Sequence, residues 1–178
     1  MREVRRRTRE VDIRVSPGGG SVRTGDPVLD HLVRTLLFYM GREVSVEASG
    51  DLRHHLWEDL GIAIGEALRE EVDERISRFG SAIMPMDDAL VLVSVDISRP
   101  YLSLELEPEE EEEGFDVTLA RELIWALART LGATIHVKQL SGRNAHHLVE
   151  ASFKGLGVAL RQALARGDRL ESTKGVLR

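Results

Sequence analysis

The chain of 178 residues contains no cysteine, and only 4% of its residues are aromatic. Without cysteine there is no disulfide, iron–sulfur cluster, thiolate zinc site or cysteine nucleophile. The chain also lacks a surplus of basic residues: its net charge is −6, which argues against a general nucleic-acid-binding protein. It has no apolar run of the roughly 20 residues that a membrane span needs, and no apolar segment follows its basic N-terminus. We therefore expect a cytoplasmic enzyme or binding protein that uses neither nucleic acid nor membrane.

Histidine is the informative residue type. Four of the six histidines fall into two copies of one pattern, His54-His55-x-x-Glu58 and His146-His147-x-x-Glu150. The two patterns lie 92 residues apart, and at this shift nine of the twenty positions from 50 to 69 are identical to those from 142 to 161. This similarity indicates an internal duplication. The other two histidines, His31 and His136, have no histidine at the matching position of the other half.

The hydrophobic pattern predicts the same order of elements in each half. Strands are predicted over residues 4–15 and 21–24, a helix over 28–40, a strand over 43–48 and a helix over 54–72. The second half repeats this order with strands at 89–97 and 101–107, a helix at 115–131, a strand at 134–140 and a helix at 145–165. We therefore expect residues 1–178 to form one domain of two similar halves, about 1–88 and 89–178. Each half is a ββαβα unit, and the fold class is an α+β two-layer sheet/helix sandwich.

Glutamate dominates the segment between the second hairpin and its helix, in Glu107-Pro108 and the five residues 109–113. Such a charge run is typical of a solvated loop, and a partner-binding role is the less favoured alternative.

The helical spacing gives the histidine patterns a chemical meaning. Neighbouring residues on a helix diverge by about 100°, and residues four apart by about 40°. Each His-His-x-x-Glu set therefore falls within one arc, and its two imidazoles can serve different centres. Ile135 and Val137 are expected to face the core, which leaves His136 on the opposite face of its strand. His31 follows Asp30, a candidate N-cap residue.

Metal binding explains this collection best, because burying so many titratable groups without a cation would be costly. Six imidazoles and two carboxylates divide into two centres of three nitrogens and one oxygen each. Such centres suit Mn, Fe, Co, Ni or Zn, so the donor set alone does not select the ion.

The chain resembles the imidazoleglycerol-phosphate dehydratase family over nearly its whole length. The first half carries Arg7-Thr8-Arg9-Glu10, Leu29-Asp30-His31, Gly50-Asp51-Leu52, the first histidine pattern with Asp59, and Arg78-Phe79-Gly80-Ser81-Ala82. The second half adds Met86-Asp87-x-Ala89-Leu90, Arg99-Pro100-Tyr101-Leu102, Gly142-Arg143-Asn144-Ala145 before the second histidine pattern, and Ser172-Thr173-Lys174-Gly175. One departure is that the family usually has a longer segment before the first His-His pair, where this chain has only Arg53.

The resemblance implies a site with two divalent ions, manganese in this family. Its ligands would be His31, His54, His55, Glu58, His136, His146, His147 and Glu150. It also implies substrate contacts by Glu10, Arg78, Arg99, Ser172 and Lys174. Family members assemble as trimers packed into a 24-subunit shell, with active sites between subunits.

The implied activity converts imidazole-glycerol phosphate to imidazole-acetol phosphate and water, in histidine biosynthesis. No carbonyl acidifies the hydrogen that must leave, so we expect the reaction to proceed through a di-metal-bound imidazolate that expels the neighbouring hydroxyl. Glu10 is the first candidate for proton transfer, followed by Glu150 and Lys154. Arg78, Arg99 and Lys174 with Ser172 suit a phosphate group.

Two alternatives stay open at this point. A different dinuclear enzyme, such as a metallohydrolase, could use the same ligands without imidazole specificity. A non-catalytic metal-binding assembly protein could also use them, although it would have no need of the phosphate-binding residues.

Overall fold

The computed structural model describes residues 1–177, which form eight strands and four helices. The first half contains β1 (Val4–Arg7), β2 (Val11–Pro17), β3 (Val22–Arg23), α1 (Pro27–Met40), β4 (Val44–Gly50) and α2 (Arg53–Arg69). The second half contains β5 (Phe79–Met86), β6 (Ala89–Ile97), β7 (Tyr101–Glu105), α3 (Val117–Leu131), β8 (Ala133–Ser141) and α4 (Ala145–Ala163). None of the helices in this part of the chain combines the length and apolar character needed to cross a membrane.

The two halves have the same topology. One sheet has the order β1-β2-β4-β3 and the other the order β5-β6-β8-β7. In each sheet the first three strands pair antiparallel, and the last pair is parallel. The predicted α+β class and internal duplication are therefore confirmed.

Each unit has one strand more than predicted, so its order is βββαβα rather than ββαβα. Residues 4–15, predicted as one strand, form β1 and β2 because the Thr8 hydroxyl accepts hydrogen bonds from the backbone N–H groups of Glu10 and Val11 and so holds a turn. The strand β5 was not predicted. It belongs to the second sheet, although the predicted division at residues 88 and 89 would place it in the first half.

Helix α1 has a different N-cap residue from the candidate Asp30, although it lies where the sequence predicts it. Its N-cap is Asp26, whose carboxylate accepts from the backbone N–H groups of Val28 and Leu29. Asp30 lies within the first turn and instead accepts from the backbone and hydroxyl of Thr24. Asp26 also accepts a hydrogen bond from Nε of Arg53 at 2.8 Å. Arg53 is the one residue that remains of the segment that is longer in the family, and this contact connects the start of α2 to the start of α1.

The helices of the two units pack against each other, α1 on α4 and α2 on α3. Glycines matched by the duplication permit both contacts. A Cβ on Gly157 would lie 2.6 Å from the Leu36 carbonyl oxygen of α1, and one on Gly65 would lie 3.0 Å from the Leu127 carbonyl oxygen of α3. These close approaches bring the start of α1 beside the start of α4, and this contact creates the site described next.

Candidate metal centre

Three of the eight predicted metal ligands lie together: His31 on α1, and His146 and Glu150 on α4. The Nε2 atoms of His31 and His146 lie 2.7 Å and 2.9 Å from the same Oε2 atom of Glu150. One ligand atom from each residue falls within 4.8 Å of the other two. Two imidazole nitrogens and a carboxylate oxygen facing one point fit a divalent transition-metal ion.

Helix geometry places two of these ligands. Asn144 caps α4 by accepting a hydrogen bond from the backbone N–H of His147, so the helix begins just before the His-His pair. Glu150 follows His146 by four residues, about one helical turn, and therefore lies on the same face. The third ligand, His31, comes from 119 residues away and reaches the centre through the contact between α1 and α4.

Glu150 is buried and ionised. Burial by itself raises the pKa of its carboxyl group, but hydrogen bonds from Lys154, His31 and His146 outweigh burial and lower the pKa to about 2. Lys154 donates to Oε1 of Glu150 at 2.9 Å, which leaves Oε2 to the two imidazoles. Lys154, a predicted catalytic residue, therefore lies in direct contact with this centre.

His147 points to a different set of carboxylates. Its Nδ1 lies 2.6 Å from Oδ1 of Asp88, and its Nε2 lies 3.3 Å from Asp87. Asp88 also accepts from the backbone N–H of Arg143. The hydrogen bond from His147, followed by the one from Arg143, lowers the pKa of Asp88 to about 2, and the contact with Asp88 raises the pKa of His147. The two histidines of the pair therefore diverge, as the helical spacing predicts.

His55 repeats this arrangement in the first unit. Its Nδ1 lies 2.8 Å from Oδ1 of Asp51, and this hydrogen bond raises the pKa of His55. Glu10, on the turn between β1 and β2, is exposed, and its carboxylate lies 4.0 Å from the same Nδ1 atom. Glu10 therefore contacts a predicted ligand of the first histidine pattern.

The remaining predicted ligands do not form a second centre in one copy of the chain. Glu58 pairs with Arg129 of α3 at 3.3 Å, where its counterpart Glu150 meets a histidine of α1. His54 is exposed beside His55, and His136 is exposed next to Tyr101, on the face of β8 opposite the core as predicted. Within residues 1–177 no second group of three histidine, aspartate or glutamate side chains meets in this way.

The predicted phosphate contacts converge elsewhere. Arg78, Arg99, Ser172 and Lys174 line one cavity of ≈ 330 Å³, together with Asp96 and Ser98. Residues from the start of β5, the turn after β6 and the C-terminal segment therefore meet, although up to 96 positions separate them in the sequence. A cavity with two guanidinium groups, one ammonium group and hydroxyl donors has the chemistry of an anion site.

The guanidinium group of Arg78 is already bound by other groups of the protein. It makes a two-point contact with Asp96, at 2.7 Å and 3.2 Å, and its Nη1 donates to the carbonyl of Glu171 at 2.6 Å. Its backbone is in the left-handed region, with φ 68°, an uncommon conformation for a residue other than glycine. Arg78 thus also connects the C-terminal segment to β6.

The sequence reasoning missed four carboxylates: Asp51, Asp88, Asp96 and Glu112. Only the contact of Asp51 could have been predicted from local spacing, because Asp51 precedes His55 by four residues, the spacing that brings side chains together on a helix. Asp88 and Glu112 contact histidines that are 59 and 34 residues away. No local spacing predicts contacts of that range.

Comparisons with known proteins show the family of the chain. The sequence model of the family described as imidazoleglycerol-phosphate dehydratase matches residues 24–160. The imidazoleglycerol-phosphate dehydratase of Pyrococcus furiosus is 59% identical over 176 residues, which cover 98% of this chain and 100% of the relative. A relative of the same name from Metallosphaera sedula is 40% identical over 185 residues, 97% of this chain and 96% of the relative.

Solved structures give the same result. A crystal structure of the Pyrococcus furiosus protein superposes with a TM-score of 0.95 and covers 98% of this chain and 100% of its own. That of the Staphylococcus aureus dehydratase, 34% identical, has a TM-score of 0.83 and covers 93% of this chain and 99% of its own. The chain therefore belongs to the imidazoleglycerol-phosphate dehydratase family and is a lyase of histidine biosynthesis.

Proposed function

We propose that residues 1–178 act as one dehydratase domain that converts imidazole-glycerol phosphate to imidazole-acetol phosphate and water at a site for two divalent ions, Mn²⁺ in this proposal. The observation that carries the proposal is the convergence of His31, His146 and Glu150 in a member of this family. The three residues supply part of the ligand set. His54, His55, Glu58, His136 and His147 supply the rest.

The reaction expels the hydroxyl group beside the imidazole ring and removes a hydrogen from the next carbon, which gives an enol that becomes the ketone. When bound, the two ions supply Lewis acidity that favours loss of a proton from the imidazole ring of the substrate. The residues of the chain must then orient the ring and move the remaining protons.

Glu10 is the proposed acid–base group for the carbon-bound hydrogen and the departing hydroxyl. Its carboxylate is exposed and lies 4.0 Å from Nδ1 of His55, beside one of the histidine patterns. Lys154 and Glu150 are the next candidates. Lys154 donates a hydrogen bond to Glu150, and in this proposal it mainly fixes the orientation of that carboxylate.

Arg99, Lys174 and Ser172 bind the phosphate group in this proposal, within the cavity that they line. Arg78 contributes a cation whose guanidinium group is already oriented by Asp96. A phosphate held there anchors the end of the substrate that does not react. Binding energy from that end can orient the imidazole ring toward the metal ligands.

Assembly completes the ligand set in this proposal. The α2–α3 contact has no histidine on α3, so Glu58 meets Arg129 instead. His136 is exposed on a sheet face, where it can reach a second copy of the chain. We therefore include in the proposal a homo-oligomer with shared active sites, a 24-subunit shell of trimers located in the cytoplasm. A fully active monomer in analytical ultracentrifugation would contradict this part.

One experiment tests the proposed function directly. Purified protein is assayed for ketone formation from imidazole-glycerol phosphate and for release of inorganic phosphate, before metal removal, after it, and after addition of Mn²⁺. The proposal predicts ketone formation that chelation abolishes and Mn²⁺ restores. Release of inorganic phosphate without ketone would favour a metallohydrolase, and metal binding without either product would favour a metal-binding assembly protein.

A further inference from the structure

The segment at residues 107–113, here called the acidic loop, is fixed against the start of α4. The backbone N–H groups of Glu109 and Glu110 both donate to the carbonyl of Arg143 at 2.9 Å. The carbonyl of Glu110 in turn accepts from the backbone N–H of Ala145, the first residue of α4. The loop is therefore not merely a solvated connection, because its main chain docks beside the second histidine pattern.

Within this loop, one of the five consecutive glutamates reaches a metal ligand. Oε1 of Glu112 lies 3.0 Å from Nδ1 of His146. The carbonyl of Glu112 accepts from the backbone N–H of Phe115, which closes a turn, and the Phe115 ring stacks on His146 with centroids 4.0 Å apart and planes 23° apart. The imidazole is thus held at one nitrogen and on one face by the same turn.

The two nitrogens of His146 face different carboxylates. Nδ1 meets Glu112, while Nε2 lies 2.9 Å from Oε2 of Glu150, within the candidate centre. A carboxylate only accepts hydrogen bonds, so both ring nitrogens can donate to carboxylates while no ion is bound. An ion at the centre would need the lone pair of Nε2, and the contact with Glu112 would then keep the remaining proton of the ring on Nδ1. Nitrogen ligands of metal ions are commonly fixed in this way by a carboxylate on the other ring nitrogen.

The same relation occurs at the second histidine of each pair. Nδ1 of His55 meets Asp51, and Nδ1 of His147 meets Asp88. Glu112 differs from these two because His146 is its only hydrogen-bond or ion-pair partner through the side chain among the described residues, so its removal breaks no other side-chain hydrogen bond.

We propose that Glu112 is a positioning residue for the metal centre: it fixes the ring of His146 so that Nε2 faces the point shared with His31 and Glu150. The inference rests on the proposed metal site and adds a residue outside the ligand set. Glu112 acts through His146 and need not touch the substrate.

The test measures Mn²⁺ affinity of the full-length protein by titrating metal-free samples and following free Mn²⁺ by electron paramagnetic resonance. We expect Glu112→Ala to weaken one class of Mn²⁺ site by about 10- to 100-fold, the range for loss of such a partner, and to leave the other class unchanged. Glu112→Gln keeps an acceptor oxygen for Nδ1–H, so its affinity should lie between those of the wild type and Glu112→Ala. Glu111→Gln removes the same charge from the same loop and should bind as the wild type does.

The outcomes separate the inference from the proposed function. Wild-type affinity in Glu112→Ala, or an equal loss in Glu111→Gln, contradicts the positioning role while the metal site stands. A wild-type protein that binds no Mn²⁺ contradicts the proposed function, and the inference with it. Because Glu112 is exposed, its variants should fold normally, which circular dichroism checks.

Discussion

Nε2 of His31 and Oε2 of Glu150 lie 2.7 Å apart, although 119 residues separate them in the sequence. The contact joins the first helix of one repeat to the last helix of the other. The candidate metal centre of the single chain therefore depends on how closely the two repeats pack. Duplication alone would have produced two equal centres, but only the α1–α4 contact has a histidine on each helix.

Gly157 sets this packing, so Gly157→Ala should damage both stability and metal binding. The new Cβ would lie 2.6 Å from the Leu36 carbonyl oxygen and force α1 away from α4. We expect a loss of about 1–3 kcal/mol in the free energy of unfolding, which is usual for overpacking, together with weaker Mn²⁺ binding. Urea unfolding and Mn²⁺ titration measure the two effects.

Gly65→Ala is the matched control. Its Cβ would lie 3.0 Å from the Leu127 carbonyl oxygen, in the α2–α3 contact. This variant should lose stability while it keeps the binding of the ion at His31, His146 and Glu150. Equal loss of that ion in both variants would contradict the link between the α1–α4 distance and the centre.

Asp26 connects α1 to α2, and Asp26→Ala should cost about 2–4 kcal/mol of stability. The variant loses an N-cap and leaves the indole N–H of the fully buried Trp57, now 3.0 Å from Asp26, without its acceptor. Asp116→Ala removes only the cap of α3 and should cost about 1 kcal/mol. Unfolding measured at equal protein concentration compares them, and equal losses would contradict the role of the Trp57 contact.

The contribution of the Asp26 charge should depend on pH in a stated direction. Burial raises the pKa of Asp26, but hydrogen bonds from Arg53 and Trp57 outweigh it and leave the pKa below its usual value. A carboxyl group whose pKa is lowered in the folded state stabilises the fold above its unfolded pKa of about 4, and the stabilisation is lost as pH falls through the folded pKa. The stability difference between wild type and Asp26→Asn should therefore be constant from about pH 5 to 8 and shrink below about pH 4. A difference that grows on acidification would contradict this account.

Much of the fold and of the site could be predicted because the signals were local. The helices, the duplication and the outward direction of His136 follow from periodicity and repeated residues. Strand β5 escaped prediction because it contains Gly80 and Pro85, which weaken a strand signal. The structure explains Gly80, since a Cβ there would lie 2.0 Å from the carbonyl oxygen of Ala159 in α4.

Contacts between distant residues of the site could not be predicted from local signals either. The resemblance named His31 as a ligand, but no spacing within the sequence connects it to α4. The contact of Glu112 with His146 likewise depends on the docking of a loop. These relations come from packing between the repeats, which sequence periodicity within one element does not encode.

Arg99→Ala should mainly raise KM for the phosphorylated substrate. Arg99 lines the cavity together with Lys174 and Ser172, and no histidine is among the described residues that line it. The loss of a charged contact worth about 1.5–3 kcal/mol corresponds to roughly a 10- to 100-fold rise in KM, with a smaller effect on kcat. Arg161→Ala, which removes an exposed cation at the end of α4, serves as the charge control. An unchanged KM in steady-state kinetics would remove Arg99 from the phosphate site.

Glu10→Gln should lower kcat by roughly 10²–10⁴-fold, the usual contribution of a positioned acid–base group, without loss of bound metal. Glutamine has the same size but cannot take up the proton. Glu3→Gln, on the same N-terminal segment, removes an equal charge and should retain activity. If Glu10→Gln turns over at the wild-type rate, the proton transfer belongs to another group, with Lys154 or Glu150 next in order.

We expect His31, His146 and Glu150 to form part of a metal site that other copies of the chain complete. Anomalous diffraction at the manganese absorption edge, from crystals of the protein grown with Mn²⁺, tests it most directly. The account predicts two Mn²⁺ peaks per active site, one bonded to Nε2 of His31, Nε2 of His146 and Glu150, with ligands from a neighbouring subunit completing the pair. Crystals with Mn²⁺ present but no peak between these three side chains would contradict it.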